Sequence, residues 1–595
     1  MNTTATTPSG EPATTAGDSN ADTFPAKILS YAIFLCGLST VILTAYLVVV
    51  SYTSLPHWDE WSQIDFAANR AAQSAFDWLW SQHNQHRLVI PRLFLLSDLR
   101  WFRATQVFLL ASIFVIQLLH LLLLGWSMRG LGRWRQELWL TGTGMAAFCL
   151  FSPAQWENFT WGFQTCFVLP GMFATLSWIG LLLYWKHSKE ETGRNGPWKY
   201  LLLSIAAALG ASYSLSNGNL LWPLLVGAAL LLRLRLAAVL SYAITGALST
   251  AVYLNNYYRP PSMGPSAKTP ATFFKYVTAY FGSSWVSRNV PAAALIGAGG
   301  ILVLLLLTLR LPSFVRERRP FPVQLVLTLL FCLGTGMVTA LARMVFGIPQ
   351  AFSSRYQTVA LLFWCCMGLL LLGWAFSHGQ TRKADFVLVQ VGLLTIMLFA
   401  SSRAGTPLAR ARLQGFQLNV AATALAMDAP DREQLQWADS QPDYVLSLVP
   451  AMRQQRLSVF AGPFATLLGK PLGSLFSVAP SDDCAGRLES SAAVPDAHRP
   501  TLKITGWAWD NKHGRPPSEI VAASNGIITG LGVVGDYRPA ARMANPRVRS
   551  DYIGFAGYVG EITEPTTISI YAVLADRPAT ACLIATLADT SHLAQ

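Results

Sequence analysis

The sequence predicts an α-helical polytopic membrane protein of about eleven spans carrying a C-terminal external β-sandwich. Three observations carry that prediction. Of 595 residues, 52% are apolar and only 13% charged, whereas a soluble domain is roughly a quarter charged. Apolar runs of about 20 residues, the length that crosses a bilayer, recur along the first 400 or so residues. After about residue 500 the apolar spacing switches to a period of two, as in strands.

Soluble-enzyme folds are excluded for the apolar part. The net charge of +13 does not point to nucleic acid, because Lys and Arg lie in short tracts between apolar runs and form no single patch. The eight cysteines have no CxxC or Cys/His spacing, which argues against zinc ribbons and redox motifs.

Residues 1–27 are rich in Thr, Ala, Ser and Gly and predict a disordered cytoplasmic tail. The run from Ile28 is too long for a signal-peptide core and lacks a cleavage pattern, so it is read as the first span. Spans are expected at about 28–50, 107–126, 138–152, 167–185, 200–215, 219–232, 236–254, 291–309, 323–342, 357–376 and 384–400. With even-numbered ends inside, the inner loops hold Arg129, Arg133, Arg135, then Lys186, Lys189, Arg194, Lys199, then Arg233, Arg235, then Arg310, Arg316, Arg318, Arg319, and finally Arg382 and Lys383. This asymmetry satisfies the positive-inside rule. A transmembrane catalytic domain at 28–400, with a long external loop at 51–106, is followed by an external linker with short helices at 401–480 and the sandwich at 481–595. Strands are expected at LKITGWAWD, EIVAASNGIITGLGVV, YIGFAGYVGEI, TTISIYAVLA and ATACLIATL.

The outward loops hold the candidate chemistry. Trp58-Asp59-Glu60-Trp61 sets two carboxylates just beyond the first span, where they are costly unless something cationic or reactive meets them; solvated acids in an aromatic belt are the alternative. Ile64, Ala68, Ala71, Ala72, Ala75, Phe76 and Leu79 share one face at helical spacing, predicting an amphipathic surface helix that roofs a cavity. His83 and His86 fit one metal face of a helix, but with no third ligand nearby they suit hydrogen bonds to sugar or phosphate better. Arg87 and Arg92 offer forks for phosphate oxygens or snorkel at the interface.

In the next outward loop Gln155, Glu157, Asn158 and Gln164 alternate with aromatic residues. Rings for sugar faces and polar groups for hydroxyls make a carbohydrate cleft, although a polar turn capped by aromatics has the same composition. Arg343 and the Arg355-Tyr356 pair sit at the mouths of spans nine and ten and suit an anionic lipid head group, or snorkel. Trp507 and Trp509 share a strand face that is a sugar platform, a core or a docking surface. Cys484 and Cys582 bracket the strand-rich module, and outside the membrane a bridge between them persists; two free thiols are the alternative.

The WDEW, QHNQHR, QWENFTWGFQ and SRY stretches, with an acidic pair after the first span and an external C-terminal module, resemble GT-C membrane glycosyltransferases that use polyprenyl-phosphate sugars. More narrowly, they resemble a bacterial group that includes a pilin arabinofuranosyltransferase. The resemblance covers about 28–400 and implies a GT-C-like fold in the bacterial inner membrane. It also implies a polyprenyl-phosphate-linked sugar as donor, an extracytoplasmic glycan or protein as acceptor, and a catalytic acid at Asp59 or Glu60. No DxD stands in the first loop, so metal ligands are unassigned and Mg or Mn stays a candidate cofactor.

The chemistry asks for one base and for cations on the phosphate, which Asp59 or Glu60 with Arg87, Arg92, Arg343 or Arg355 would supply. Neighbouring side chains point apart, so one carboxylate is the base, with Asp59 favoured, and the other a positioning residue. A single base and no carboxylate nucleophile gives inversion. A polysaccharide ligase or polymerase is the rival enzyme class. A transporter or flippase would show mid-membrane charges or an internal repeat, and the sequence shows neither.

Overall fold

Eleven helices stand at the expected spans in the computed structural model: Phe24–Val50, Val107–Gly130, Gln136–Leu150, Thr165–His187, Trp198–Ser212, Leu221–Leu231, Leu236–Leu254, Val290–Arg316, Pro320–Arg343, Gln357–His378 and Lys383–Ser401. The structure describes residues 24–69, 74–188, 197–258, 269–286, 288–378, 383–462, 464–497, 499–560, 567–576 and 578–587. The N-terminal tail to residue 23, Ala71, Ala72, Lys189, Arg194 and Arg382 lie outside the described residues. Among those described, eight helical stretches are long and apolar enough to cross a membrane, which makes this a multi-pass membrane protein. The helices Gln136–Leu150, Trp198–Ser212 and Leu221–Leu231 are shorter, at 15, 15 and 11 residues. At 1.5 Å per residue they reach no more than about 23 Å. Small residues allow the closest crossings: a Cβ on Gly37 or on Gly144 would collide with the backbone of the other's helix.

The first loop departs from expectation. Instead of one amphipathic helix it forms two short ones, Trp61–Ala68 and Ala75–Trp80. Asn69 closes the first, its N–H donating to the Asp65 carbonyl. Ser74 opens the second with an N-cap bond from the Asp77 N–H at 3.1 Å. Cap and turn chemistry outcompetes the apolar spacing here, and the supposed single face splits: Ile64 is fully buried and Phe76 is 73% exposed. A further helix, Val89–Phe102, completes the loop.

The segment expected as a linker is a packed subdomain. Helices Gly405–Ala426 and Pro442–Gln455 bury Leu418, Leu425, Leu448 and Met452 against Leu55, Trp61 and Ile64 of the first loop. Asp431, N-cap of the short helix Arg432–Leu435, accepts from Lys503 Nζ at 2.9 Å and from the Tyr558 hydroxyl at 2.8 Å, fastening the C-terminal domain to it.

That domain is one continuous eight-stranded sheet. Its strands are β1 (Ser477–Val478), β2 (Cys484–Ala493), β3 (Leu502–Asp510), β4 (Glu519–Ser524), β5 (Ile527–Tyr537), β6 (Tyr552–Val559), β7 (Ile568–Leu574) and β8 (Thr580–Leu587). They run in the order β1-β8-β7-β4-β5-β6-β3-β2. The sheet curls until β2 lies against β8 and β3 against β7, closing around Ile504, Ile520, Phe555 and Ile570. Asn525 and Gly526, both with positive φ (51° and 76°), make the tight β4–β5 hairpin, where left-handed residues match strand twist. A disulfide joins Cys484 to Cys582 with Cα atoms 6.2 Å apart. The Trp507/Trp509 platform needs correction: Trp509 is 1% exposed, packed with Ala541, Val548 and Ile553, and presents no face to a sugar.

Candidate active site

At the end of the bundle that bears the subdomain, the first loop is pinned from outside. Trp58 adopts φ +49°, a left-handed conformation that a bulky residue keeps only when its surroundings impose it. The imposition comes from Ala438, whose carbonyl accepts the Trp58 N–H at 2.8 Å and the Trp61 indole N–H at 3.2 Å. His57 Nδ1 lies 3.1 Å from the neighbouring carbonyl of Trp437.

The turn that follows throws the two carboxylates apart. Glu60 is 1% exposed; its carboxyl accepts the backbone N–H of His57 and that of Phe163, each at 2.8 Å. Burial pushes Glu60 up to about 8. It joins the loop after the first span to the loop that holds Phe163 and does not reach the cleft, so its candidacy as a catalytic group is corrected to a joint. Asp59 points the other way, its side chain 33% exposed. Its Oδ1 lies 3.0 Å from His83 Nε2. Burial acts to raise the Asp59 carboxyl, but the bond and charge of His83 with the charges of Arg355 and Arg343 outweigh it, and the net shift is downward.

His83 and His86 do not share a helix face. They exchange backbone hydrogen bonds of 2.8 and 2.9 Å across the Asn84-Gln85 turn, so one ring meets Asp59 while the other meets Ser216 Oγ at 2.8 Å. Burial brings His86 down to about 3, so it is neutral. Around these groups lies a cavity of about 130 Å³ lined by Asp59, His83, His86, Trp161, Gln164, Arg343, Gln350, Arg355 and Tyr356.

The two arginines of the cleft are largely unspent. Arg343 is the last residue of its helix, a favourable place for a cation, and faces the Phe346 ring at 6.0 Å. Arg355 donates from Nε to Ser353 Oγ at 3.1 Å and lies 5.7 Å over Trp161. Among the described residues, Arg343 and the terminal nitrogens of Arg355 have no hydrogen-bond or ion-pair partner.

Arg87 and Arg92 differ, and their assignment as phosphate ligands is corrected. Both are 4% exposed. Arg87 is spent on the carbonyls of Tyr253, Trp80 and Asn255; Arg92 is spent on the carbonyls of Trp78 and Ser81 and on the Ser81 hydroxyl. They hold the loop's fold. Gln155, Glu157 and Asn158 also stand behind the cleft. The Glu157 carboxylate accepts from the Ser354 hydroxyl and the Arg355 N–H. The Asn158 amide donates to the Arg355 carbonyl at 3.0 Å and to Thr358 at 2.6 Å, and Thr358 donates to Gln155. The second loop thus orients the Arg355 turn. Trp161 and Asn84 lie inside stretches the sequence singles out, whereas Gln350 carries no signal a single sequence reveals.

A second cavity of about 590 Å³ continues from this cleft, sharing His86, Arg343 and Tyr356 with it. Its walls include Leu254, Val338, Leu341 and Val345, all exposed on the bundle's flank. Among the described residues no three His, Cys, Asp or Glu side chains come together to hold a metal. With Glu60 spent on backbone, Asp59 and His83 alone do not fit a divalent cation site.

No protein-family model and no curated protein matches the chain. Among solved structures it is similar to the archaeal oligosaccharyltransferase AglB from Archaeoglobus fulgidus, in complex with an inhibitory peptide and a dolichol-phosphate. Sequence identity is 13% and the TM-score 0.34, over 67% of this chain and 59% of that one. The chain spans less than two thirds of that protein, and so slight a likeness carries no weight in assigning function.

Proposed function

We propose that this protein is a GT-C-like membrane glycosyltransferase that moves a sugar from a polyprenyl phosphate to a glycan or protein acceptor outside the cytoplasmic membrane of a bacterium. The N-terminus is then cytoplasmic, and the cleft and β domain are extracytoplasmic. The observation that carries the reading is the alignment of three parts: the Asp59 carboxylate, two arginines with unpaired terminal nitrogens, and an apolar groove that reaches them from the bundle's flank.

The prenyl chain lies in the groove, and its phosphate meets Arg343 and Arg355, whose planar forks suit phosphate oxygens. His83 fixes one Asp59 oxygen, leaving the other to take the acceptor's hydroxyl proton. The acceptor oxygen bonds to the anomeric carbon as the bond from that carbon to the phosphate oxygen breaks. Polyprenyl phosphate departs with the bonding pair, its charge held by the two arginines. One displacement inverts the anomeric centre. Gln164 and Tyr356 border the sugar, and the β domain positions the acceptor.

Full-length protein in lipid nanodiscs, given a polyprenyl-phosphate arabinofuranose and then hexose analogues with an oligosaccharide acceptor, tests the reading. Asp59→Asn is expected to slow release of polyprenyl phosphate by about 10²-fold or more, the span of general-base catalysis, with thermal stability unchanged. Equal rates in the two proteins would remove Asp59 from the chemistry.

A further inference from the structure

The opposite end of the bundle holds a larger cavity, about 1000 Å³, that the glycosyltransferase reading leaves unused. Its lining carries Arg133, Lys186, Arg310, Arg318 and Arg319 against a single carboxylate, Glu317. Glu317 lies 3.7 Å from Arg319. The side chains of Arg133, Arg310 and Arg318 have no hydrogen-bond or ion-pair partner among the described residues. All five cations are exposed, with their heads free to reach water, and all five line the same concavity. Their unopposed charge asks for an anion.

Below the cations the walls turn apolar. They are formed by Val303 and Leu307 of the helix Val290–Arg316, up to two turns beyond Arg310, and by positions 367–376 of the helix Gln357–His378. At 1.5 Å per residue the wall at positions 367–376 runs about 15 Å, the depth of one leaflet of a hydrocarbon core about 30 Å thick. Val303, Leu371 and Trp374 along these walls are exposed on the bundle's surface, so the cavity opens sideways toward lipid. A cationic mouth over a leaflet-deep, laterally open apolar slot matches a lipid with an anionic phosphate head group, since basic pockets between membrane helices hold such heads. We infer that this cavity is a second lipid site, distinct from the donor groove and at the other end of the bundle, that takes one anionic phospholipid by its phosphate head and an acyl chain.

The test uses delipidated full-length protein in mild detergent, followed by thermal unfolding and native mass spectrometry with added phosphatidylglycerol, phosphatidylcholine or inorganic phosphate. Phosphatidylglycerol is expected to raise the unfolding midpoint and to be retained. The combined variant Arg133→Gln, Arg310→Gln, Arg318→Gln should weaken retention about 100-fold, from roughly a fivefold loss for each of the three cations removed. Arg343→Ala, at the other end, should leave it intact. Equal retention of phosphatidylcholine, an equal midpoint shift from inorganic phosphate, undiminished retention in the combined variant or loss in Arg343→Ala would each overturn the proposal. Should the combined variant fail to purify, Leu307→Trp, which fills the apolar wall without touching a charge, is expected to abolish retention; full retention there overturns the proposal equally.

Discussion

Two adjacent carboxylates with opposite environments give the residue scale its clearest chemistry. The folded state keeps Glu60 protonated up to about pH 8, while the unfolded chain ionises it near 4.3. Between those values the native state binds the extra proton, so stability falls as pH rises from about 4.5 to about 8 and levels off above. Asp98, which burial pushes up to about 7, adds a slope of the same sign. Thermal unfolding of Glu60→Gln should therefore show a flatter pH dependence than the wild type, and a parallel curve would contradict burial as the cause. The arginines separate by what they touch. Arg343→Ala or Arg355→Ala should raise the donor KM about 10- to 100-fold, the worth of one charged hydrogen bond, with folding unchanged. Arg92→Ala should instead lower the unfolding temperature, because it orphans buried carbonyls. Donor titrations with parallel unfolding curves distinguish these outcomes. Composition named all four arginines but did not show which guanidinium points at backbone, since that depends on chain segments far away in sequence, such as Tyr253 for Arg87.

At the scale of elements, apolar runs made the membrane helices legible, whereas EIVAASNGIITGLGVV, read as one strand, is two strands paired across the Asn525-Gly526 hairpin. The strand β2 left no trace, because CAGRLESSAA is small and polar and most of it faces solvent. Its place is set by pairing along β3 and by the bridge to β8. The helices between bundle and sheet were read as a linker because their buried face is matched by the first loop, some 350 residues earlier in the chain, and no local period announces such a partner. Peptide mass spectrometry without reduction should recover Cys484 joined to Cys582. Reduction should lower the stability of the β domain by up to about 4.7 kcal/mol, the loop-closure entropy for a separation of 98 residues in the unfolded chain. No change in the domain's unfolding on reduction would show that the curled sheet closes without the bridge.

Across the whole molecule, the chain returns to its beginning. Trp437 and Ala438 hold His57, Trp58 and Trp61, so Asp59, the base of the proposed reaction, is aimed by a segment on the far side of the membrane domain in sequence. A chain ending at residue 461 keeps that contact and should bind donor normally yet transfer poorly for lack of the β domain. One ending at residue 401 should lose both, as donor titration and product release would reveal; normal transfer by the 461-residue chain would remove the β domain from acceptor positioning. The same contact has a consequence during synthesis. The first loop emerges early, but the carbonyl that fixes Trp58 arrives 380 residues later, the separation seen between His57 and Trp437. Contacts so distant in the chain form late. On the function proposed here, a nascent chain inserts before Asp59 is aimed, and transfer begins only once residue 438 has been made and has met the first loop.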